Sequence, residues 1–398
     1  MKYIINKNYT KLFATDTLSF VMNRLLLFVM PLWIMEATKS TITLSLFNSI
    51  LIVVSILTTP ITGTLADRLH KVKILKSGNI LKLIVVGLML IFYFMGHFYI
   101  VIGLFFIRYM CISIINPSTK AMLVDIVDKQ QMKEAVYKFQ ITNQILLIVI
   151  PTFAGVLISY IAYYQIFYLD VIVIILVILL LMTFDNKVFS IDNNIQKKSF
   201  QEDFFYTFKM IYNNNNFFIF CICAAIINVL GGAIVLSIQV LVVKQLLPKA
   251  IIGILFTSSP LGIILGSYIS KRLDMKKFKV SKTLVYVAFT GVFNIAMGLA
   301  GGNYILFILF YFISGIFFGM SNVYFGILYR EMIPNNVQGR FFGFLNSVTT
   351  IAIPIGNVIT GIILQYVSPS VSLVFLGLLT VTSGMLFSRK FKGKVLSL

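Results

Sequence analysis

The sequence is a succession of apolar, nearly uncharged runs separated by short polar breaks. The runs fall near residues 12–36, 42–66, 74–96, 98–118, 135–162, 164–184, 217–243, 249–272, 279–300, 303–328, 340–367 and 369–388. Each is close to the roughly 20 residues that a helix needs to cross a bilayer core. No water is available there, so a crossing segment must be a helix that satisfies its own backbone. The pattern predicts an all-α membrane protein with twelve transmembrane helices. The runs at 135–162 and 340–367 open with a polar, amphipathic turn, so their membrane parts are shorter.

Composition agrees: 59% of the 398 residues are hydrophobic and 12% charged, against about half and a quarter in soluble chains. So few charges cannot cover a soluble surface of this size. The net charge of +20 would suit nucleic acid, but its distribution argues against that partner. With the N-terminal side taken as inner, 28 of the 33 Lys and Arg fall in inner loops and tails. Lys82 is counted there, with Arg68, Lys71, Lys73 and Lys76. Three, Lys39, Lys244 and Lys249, are outer, and Arg24 and Arg108 lie within runs. This positive-inside bias predicts cytoplasmic termini and an even number of spans. It also favours anionic lipid headgroups. The richness in Lys, Ile and Asn fits an AT-rich genome, so a bacterial cytoplasmic membrane is the expected location. The first run is too long for the apolar core of a cleavable signal peptide. Cys111, Cys221 and Cys223 lie in apolar runs without Cys or His neighbours and read as packing residues. His70 and His97 sit in a loop and at a run end, so no metal site is expected.

The chain repeats itself. GTLADRLHKVK from Gly63 matches GSYISKRLDMKK from Gly266, 203 residues on. NQILLIVIPTFAG from Asn143 matches NSVTTIAIPIGNV from Asn346 at the same offset, which also relates Pro151 to Pro354. One offset at two unlinked places, near half the chain length, implies a duplication of six helices. The expected architecture is two six-helix bundles with pseudo-twofold symmetry, residues 1–184 and 217–398, joined by a polar linker at 185–216. The axis would run along the membrane normal, with cargo carried near the midplane. The Asn run before the seventh helix is placed to cap it.

The stretch Gly63-Thr64-Leu65-Ala66-Asp67-Arg68-Leu69-His70-Lys71 resembles the loop 2–3 signature of the major facilitator superfamily, G-x-L-A-D-R-x-G-R/K. It matches at Gly63, Leu65, Ala66, Asp67, Arg68 and Lys71 and departs at His70, where the family has glycine. Arg108 resembles the family's fourth-helix arginine. Pro151-Thr152-Phe153-Ala154-Gly155 resembles the Pro/Gly bend of its exporters, without the first glycine pair. Gly339-Arg340, opening the eleventh helix after a proline, is similar to the macrolide-efflux and siderophore-export branch. The resemblance covers nearly the whole chain and implies outward transport.

Physical chemistry gives these residues candidate roles. The Asp67 carboxylate can sit against the positive N-terminal end of a neighbouring helix, the eleventh being the natural choice. Such a contact is worth on the order of 0.3–2 kcal/mol and would latch the outward-open state; the plain alternative is a solvated loop charge. A bare arginine at depth costs at least ~2.5 kcal/mol. Arg108 should therefore face the interior, a cavity or a partner, exchanging protons or holding an electron-rich substrate group, unless it snorkels to headgroups. Asn23 and Arg24 are near mid-span, open to a cavity or an interhelical bond. Asp16, about 12 Å along the axis from Arg24, is the best placed acid for proton binding; capping a partner helix is its alternative. Glu36 and Asp170 read as solvated residues at outer span ends, which leaves the interior poor in acids. Pro151 and Pro354 bend their helices, and Gly155 permits close packing, as gating elements or as ordinary kinks. Asn143, Gln144 and Asn346 need partners if buried, across helices or on substrate.

Aromatic residues make up 14% of the chain, which suits a small lipophilic substrate. No G-x-x-x-x-G-K-[ST] is present, so the expected energy source is an ion gradient, protons first, with no cofactor. The expectation is a monomeric secondary transporter, not an enzyme. It would export a small amphipathic compound, such as a drug, a peptide antibiotic or a siderophore, by proton antiport. An importer of the same fold and a non-transporting membrane receptor or enzyme are the alternatives.

Overall fold

The computed structural model describes residues 7–68, 71–128, 131–184, 209, 214–245, 247–272, 280–300, 302–333 and 338–392. Among them are twelve helices long and apolar enough to cross a membrane. They are α1 (Lys7–Thr38), α2 (Thr41–Arg68), α3 (Lys71–Phe94), α4 (Phe98–Ile126), α5 (Met132–Tyr160), α6 (Tyr163–Met182), α7 (Asn215–Lys244), α8 (Lys249–Ser270), α9 (Val280–Leu299), α10 (Tyr304–Met332), α11 (Gln338–Tyr366) and α12 (Pro369–Lys390). Every expected span has its helix. The Asn run caps as expected: the Asn214 side chain accepts from the Phe217 backbone N–H at 3.4 Å. The expected linker lies outside the described residues, apart from Lys209 and Asn214–Asn216.

The helices carry the duplication. α10 begins at Tyr304 and ends at Met332, each 206 residues after the corresponding end of α4. Tyr366 ends α11 206 residues after Tyr160 ends α5, and α12 starts 206 after α6. The turns before α4 and α10 each need a left-handed residue, supplied by Gly96 (φ 77°) and Gly302 (φ 89°), again 206 apart. Only glycine takes that conformation without steric cost. Pro151 and Pro354 are 203 apart, however, so Pro354 stands about one turn further from its helix end than Pro151 does. The two bends match in sequence but not in depth.

Packing repeats too. α3 lies against α4 and α6 as α9 lies against α10 and α12. One apolar cluster joins Tyr9, Leu12, Leu75, Met122, Ala135 and Leu181 from α1, α3, α4, α5 and α6. Its counterpart joins Phe217, Leu284, Leu328 and Phe341 from α7, α9, α10 and α11 with Phe391, which follows α12. Two compact units result: Met1–Trp33 with Ile50–Gln196, and Ile34–Ser49 with Lys197–Leu398. Within the second unit, the Thr41 hydroxyl donates to the Gly361 carbonyl at 2.7 Å. Asn48 Nδ2 donates to Gln239 Oε1 at 2.8 Å and the Ser49 hydroxyl to the Pro354 carbonyl at 3.2 Å. In the same unit α8 and α10 meet through glycines. Gly262 and Gly266 lie against the backbone of Phe312 and Ile316, and Gly315 and Gly319 against that of Ser259 and Ile263. Such small-residue spacing lets two helices approach closely where no hydrophobic effect drives them together.

Candidate functional site

A buried polar network occupies the first unit. Arg108, on the inward face of α4, is fully buried. Its Nε donates to Asp170 Oδ2 at 2.7 Å and its Nη2 to Asp170 Oδ1 at 3.0 Å. Nη2 also donates to Asn23 Oδ1 on α1 at 3.0 Å, and the guanidinium lies 5.7 Å from the Phe105 ring centre. The two-pronged contact is the strong form of an arginine–carboxylate pair. Lys82 on α3 is 2% exposed and interacts electrostatically with Asp170, Arg108 and Cys111. Among the described residues the network is not fully satisfied, because neither Arg108 Nη1 nor the Asn79 Oδ1, one turn before Lys82, has a hydrogen-bond partner there. Each such buried atom costs roughly 1–3 kcal/mol.

Two expectations are corrected here. Asp170 is not a solvated residue at an outer end: it is fully buried and ion-paired. It stands two turns inside α6, and an arginine at depth needs its charge matched. Lys82 is not a loop cation: it stands eleven residues, about 16 Å, inside α3. The basic asymmetry of the loops stands without it. Glu36, by contrast, is partly exposed and 3.8 Å from Lys249.

The first unit also holds a cavity of about 270 Å³. Asp16, Asn23, Arg24, Ser55, Tyr109 and Asn116 supply its polar lining, so one acid and one base face it among amides and hydroxyls. The Arg24 guanidinium sits 5.1 Å from the Phe20 ring centre. Asn23 joins this cavity to the ion pair, since it lines the one and accepts from the other. Asp16, Asn23 and Arg24 are thus brought together, and Arg108 reaches them through one amide.

The second unit holds a cavity of about 350 Å³ with a different character. Phe220, Phe318 and Phe325 line it with Asn228, Ser321 and Asn322, and no charged side chain is among its described lining residues. None of these was singled out in the sequence, where three aromatics among 37 Phe carry no signal. Asn143 is half-buried and Gln144 exposed on α5; Asn346 is exposed on α11, with Thr350 Oγ1 3.5 Å from its Oδ1. None of these three lines either cavity. Pro151 and the buried Gly155 lie inside α5. Pro354 lies inside α11, where Gly232 and Gly356 bring Ile353 and Val229 close. The side chains of Asp67, Arg68, Lys71 and Arg340, and the surroundings of Gly63 and Gly339, lie outside the described residues.

Comparison with known proteins gives the family. The model of the Major Facilitator Superfamily matches residues 12–246 and 221–395. A curated relative from Bacillus subtilis (strain 168), an uncharacterized MFS-type transporter called YfiS, is 29% identical over 144 residues. That match covers 35% of this chain and 34% of the relative, about a third of its length. Among solved structures, the nucleoside transporter NupG is similar at a TM-score of 0.74 and 15% identity, over 98% of this chain and 100% of that one. A bacterial homologue of the iron transporter ferroportin, in an inward-facing state, is similar at 0.70 and 15%, over 98% and 99%. A bacterial homolog of the human lysosomal transporter Spinster is similar at 0.68 and 14%, over 98% of each chain. At these identities the likeness concerns the fold. Twelve apolar helices, six built twice over, with a family match spanning nearly the whole chain, make this chain a membrane protein of the Major Facilitator Superfamily.

Proposed function

We propose that the chain exports a small amphipathic compound by proton antiport, with access alternating between the two faces of the membrane. The observation that carries this reading is the contrast between its cavities. A cavity with Asp16 and Arg24 suits the polar end of a cargo. One of three phenylalanines with two amides suits a flat apolar body. A buried network of ionisable side chains beside the polar cavity supports coupling to protons. Export draws its support from the Pro151–Gly155 bend and from the resemblance of Gly339-Arg340 to the macrolide-efflux and siderophore-export branch. The loop asymmetry supports cytoplasmic termini in a bacterial cytoplasmic membrane.

Expression in a host stripped of its own pumps is expected to raise tolerance to one or more lipophilic antibiotics, and an uncoupler is expected to cancel the gain. Resistance that survives the uncoupler would rule out proton antiport. Arg24→Ala is expected to abolish the resistance without lowering the amount of membrane-inserted protein.

Asp67 is the expected latch of the outward-open state. Losing its contact with a helix end, on the order of 0.3–2 kcal/mol, shifts a gate equilibrium roughly 2- to 30-fold. Asp67→Asn should insert normally and transport poorly. Full export by that variant would show the carboxylate to be an ordinary solvated charge.

A further inference from the structure

The buried network holds two cations and one anion, and its members differ in their freedom to change charge. We propose that Lys82 is the group that takes up and releases the coupled proton, switching the network between a net charge of +1 and zero. This deepens the proton-antiport reading and rests on it.

Arginine keeps its proton in proteins, so Arg108 is a fixed charge. Asp170 accepts from Arg108 through both of its oxygens, which ties it to that guanidinium as a two-pronged pair. Lys82 is different. Its side chain is almost wholly buried at 2% exposure, and the one anion it interacts with, Asp170, is already held by Arg108. α3 packs on α4 and α6 and also meets α1, where Trp33 lies 5.8 Å from the Tyr93 ring. Lys82 interacts electrostatically with Arg108 and Cys111 of α4 and with Asp170 of α6. An ammonium can become a neutral amine, and the network then holds one matched pair with no surplus charge. In the antiport cycle the amine nitrogen takes H⁺ from the outer face on its lone pair and returns it to water at the inner face, with no other bond changed.

The second half of the molecule serves as an internal control. In the register set by the helix ends, Arg108 corresponds to Ser314 and Asp170 to Leu376. Asn23 corresponds to Val229, and Lys82 falls at Val287 or Ala288. There Ser314 simply donates to Asn294 at 3.0 Å. The same helical arrangement is therefore built once with three buried charges and once with none. Packing does not need them, and a surplus buried charge works against stability. A proton-carrying task accounts for its presence in one half alone.

The test needs no knowledge of the cargo. Spin labels at Tyr160→Cys and Tyr366→Cys, both exposed helix ends, report distances in a background freed of the three native cysteines. In the otherwise unaltered protein the distance distribution should redistribute as pH crosses neutrality. Lys82→Met should hold the high-pH distribution at every pH, and Lys82→Arg the low-pH one, while Asp16→Asn still responds. A pH response that survives in both Lys82 variants overturns the proposal and leaves proton antiport standing. A protein with no pH response before any Lys82 change overturns proton antiport itself. Should both variants fail to fold, ¹⁵N NMR of lysine-labelled protein decides. A buried, slowly exchanging Nζ signal that shifts over the same pH range supports the assignment, and one that does not move refutes it.

Discussion

Leucine in place of Asp170 is expected to be the most damaging single substitution in the first half of the molecule. It would leave Arg108 and Lys82 buried without an anion, with the Nε donor of Arg108 orphaned and Nη2 left to Asn23 alone. Removing one partner of a buried ion pair costs about 3–5 kcal/mol, a large share of the 5–15 kcal/mol that typically holds a native fold. Arg108→Leu should cost less, because Lys82 still neutralises Asp170. The expected order of melting temperature and yield in detergent is therefore Asp170→Leu lowest, Arg108→Leu next, and the unaltered protein highest. The double variant, Arg108→Leu with Asp170→Leu, should recover part of the loss, since only Lys82, which can become a neutral amine, is then left without an anion. If Arg108→Leu proves the worse of the two, the account of the network as one with surplus positive charge is wrong.

That pair was half legible in the sequence. Arg108 stood out because an uncompensated cation at depth is costly, and the structure gives it the partner this cost demands. Asp170 did not stand out, because a position near a run boundary reads as solvated. The depths could have paired them. Arg108 lies ten residues past the start of α4 and Asp170 seven past the start of α6, about 15 and 10 Å from adjoining ends at ~1.5 Å per residue. An arginine side chain spans the difference. Lys82 was hidden by its neighbours, since a run of lysines from Lys71 onward reads as one loop, although Lys73 is exposed, Lys76 half-buried and Lys82 buried.

The twelve spans were legible because long apolar runs have only one way to satisfy their backbone in a bilayer. The cavities were not. Their lining comes from residues far apart in sequence, and an inward-facing Phe220 or Asn228 carries the same letters as one facing lipid. The duplication was visible at two anchors. The shift of the Pro354 bend by a turn could emerge only from the ends of the helices, which no periodicity in a continuous apolar run marks.

The sequence repeat pairs the glycine that opens the loop motif with one on α8 whose packing is tight. Gly63 was singled out as a gating residue, and its repeat partner Gly266 sits where α8 touches the backbone of Ile316 on α10. Alanine at 266 would push its Cβ into a carbonyl that cannot rotate away as a side chain could, so the two helices must part. Overpacking of this kind costs typically 1–3 kcal/mol, and here it also opens the neighbouring contacts of Gly262, Gly315 and Gly319. Gly266→Ala is therefore expected to lower the melting temperature sharply. Gly231→Ala on α7, where a Cβ meets nothing within 4 Å, should gain about 0.5–1 kcal/mol from helix propensity alone. The opposite signs separate contact from propensity within one protein. If Gly266→Ala instead melts no lower than the unaltered protein, closeness of α8 and α10 is not what position 266 demands.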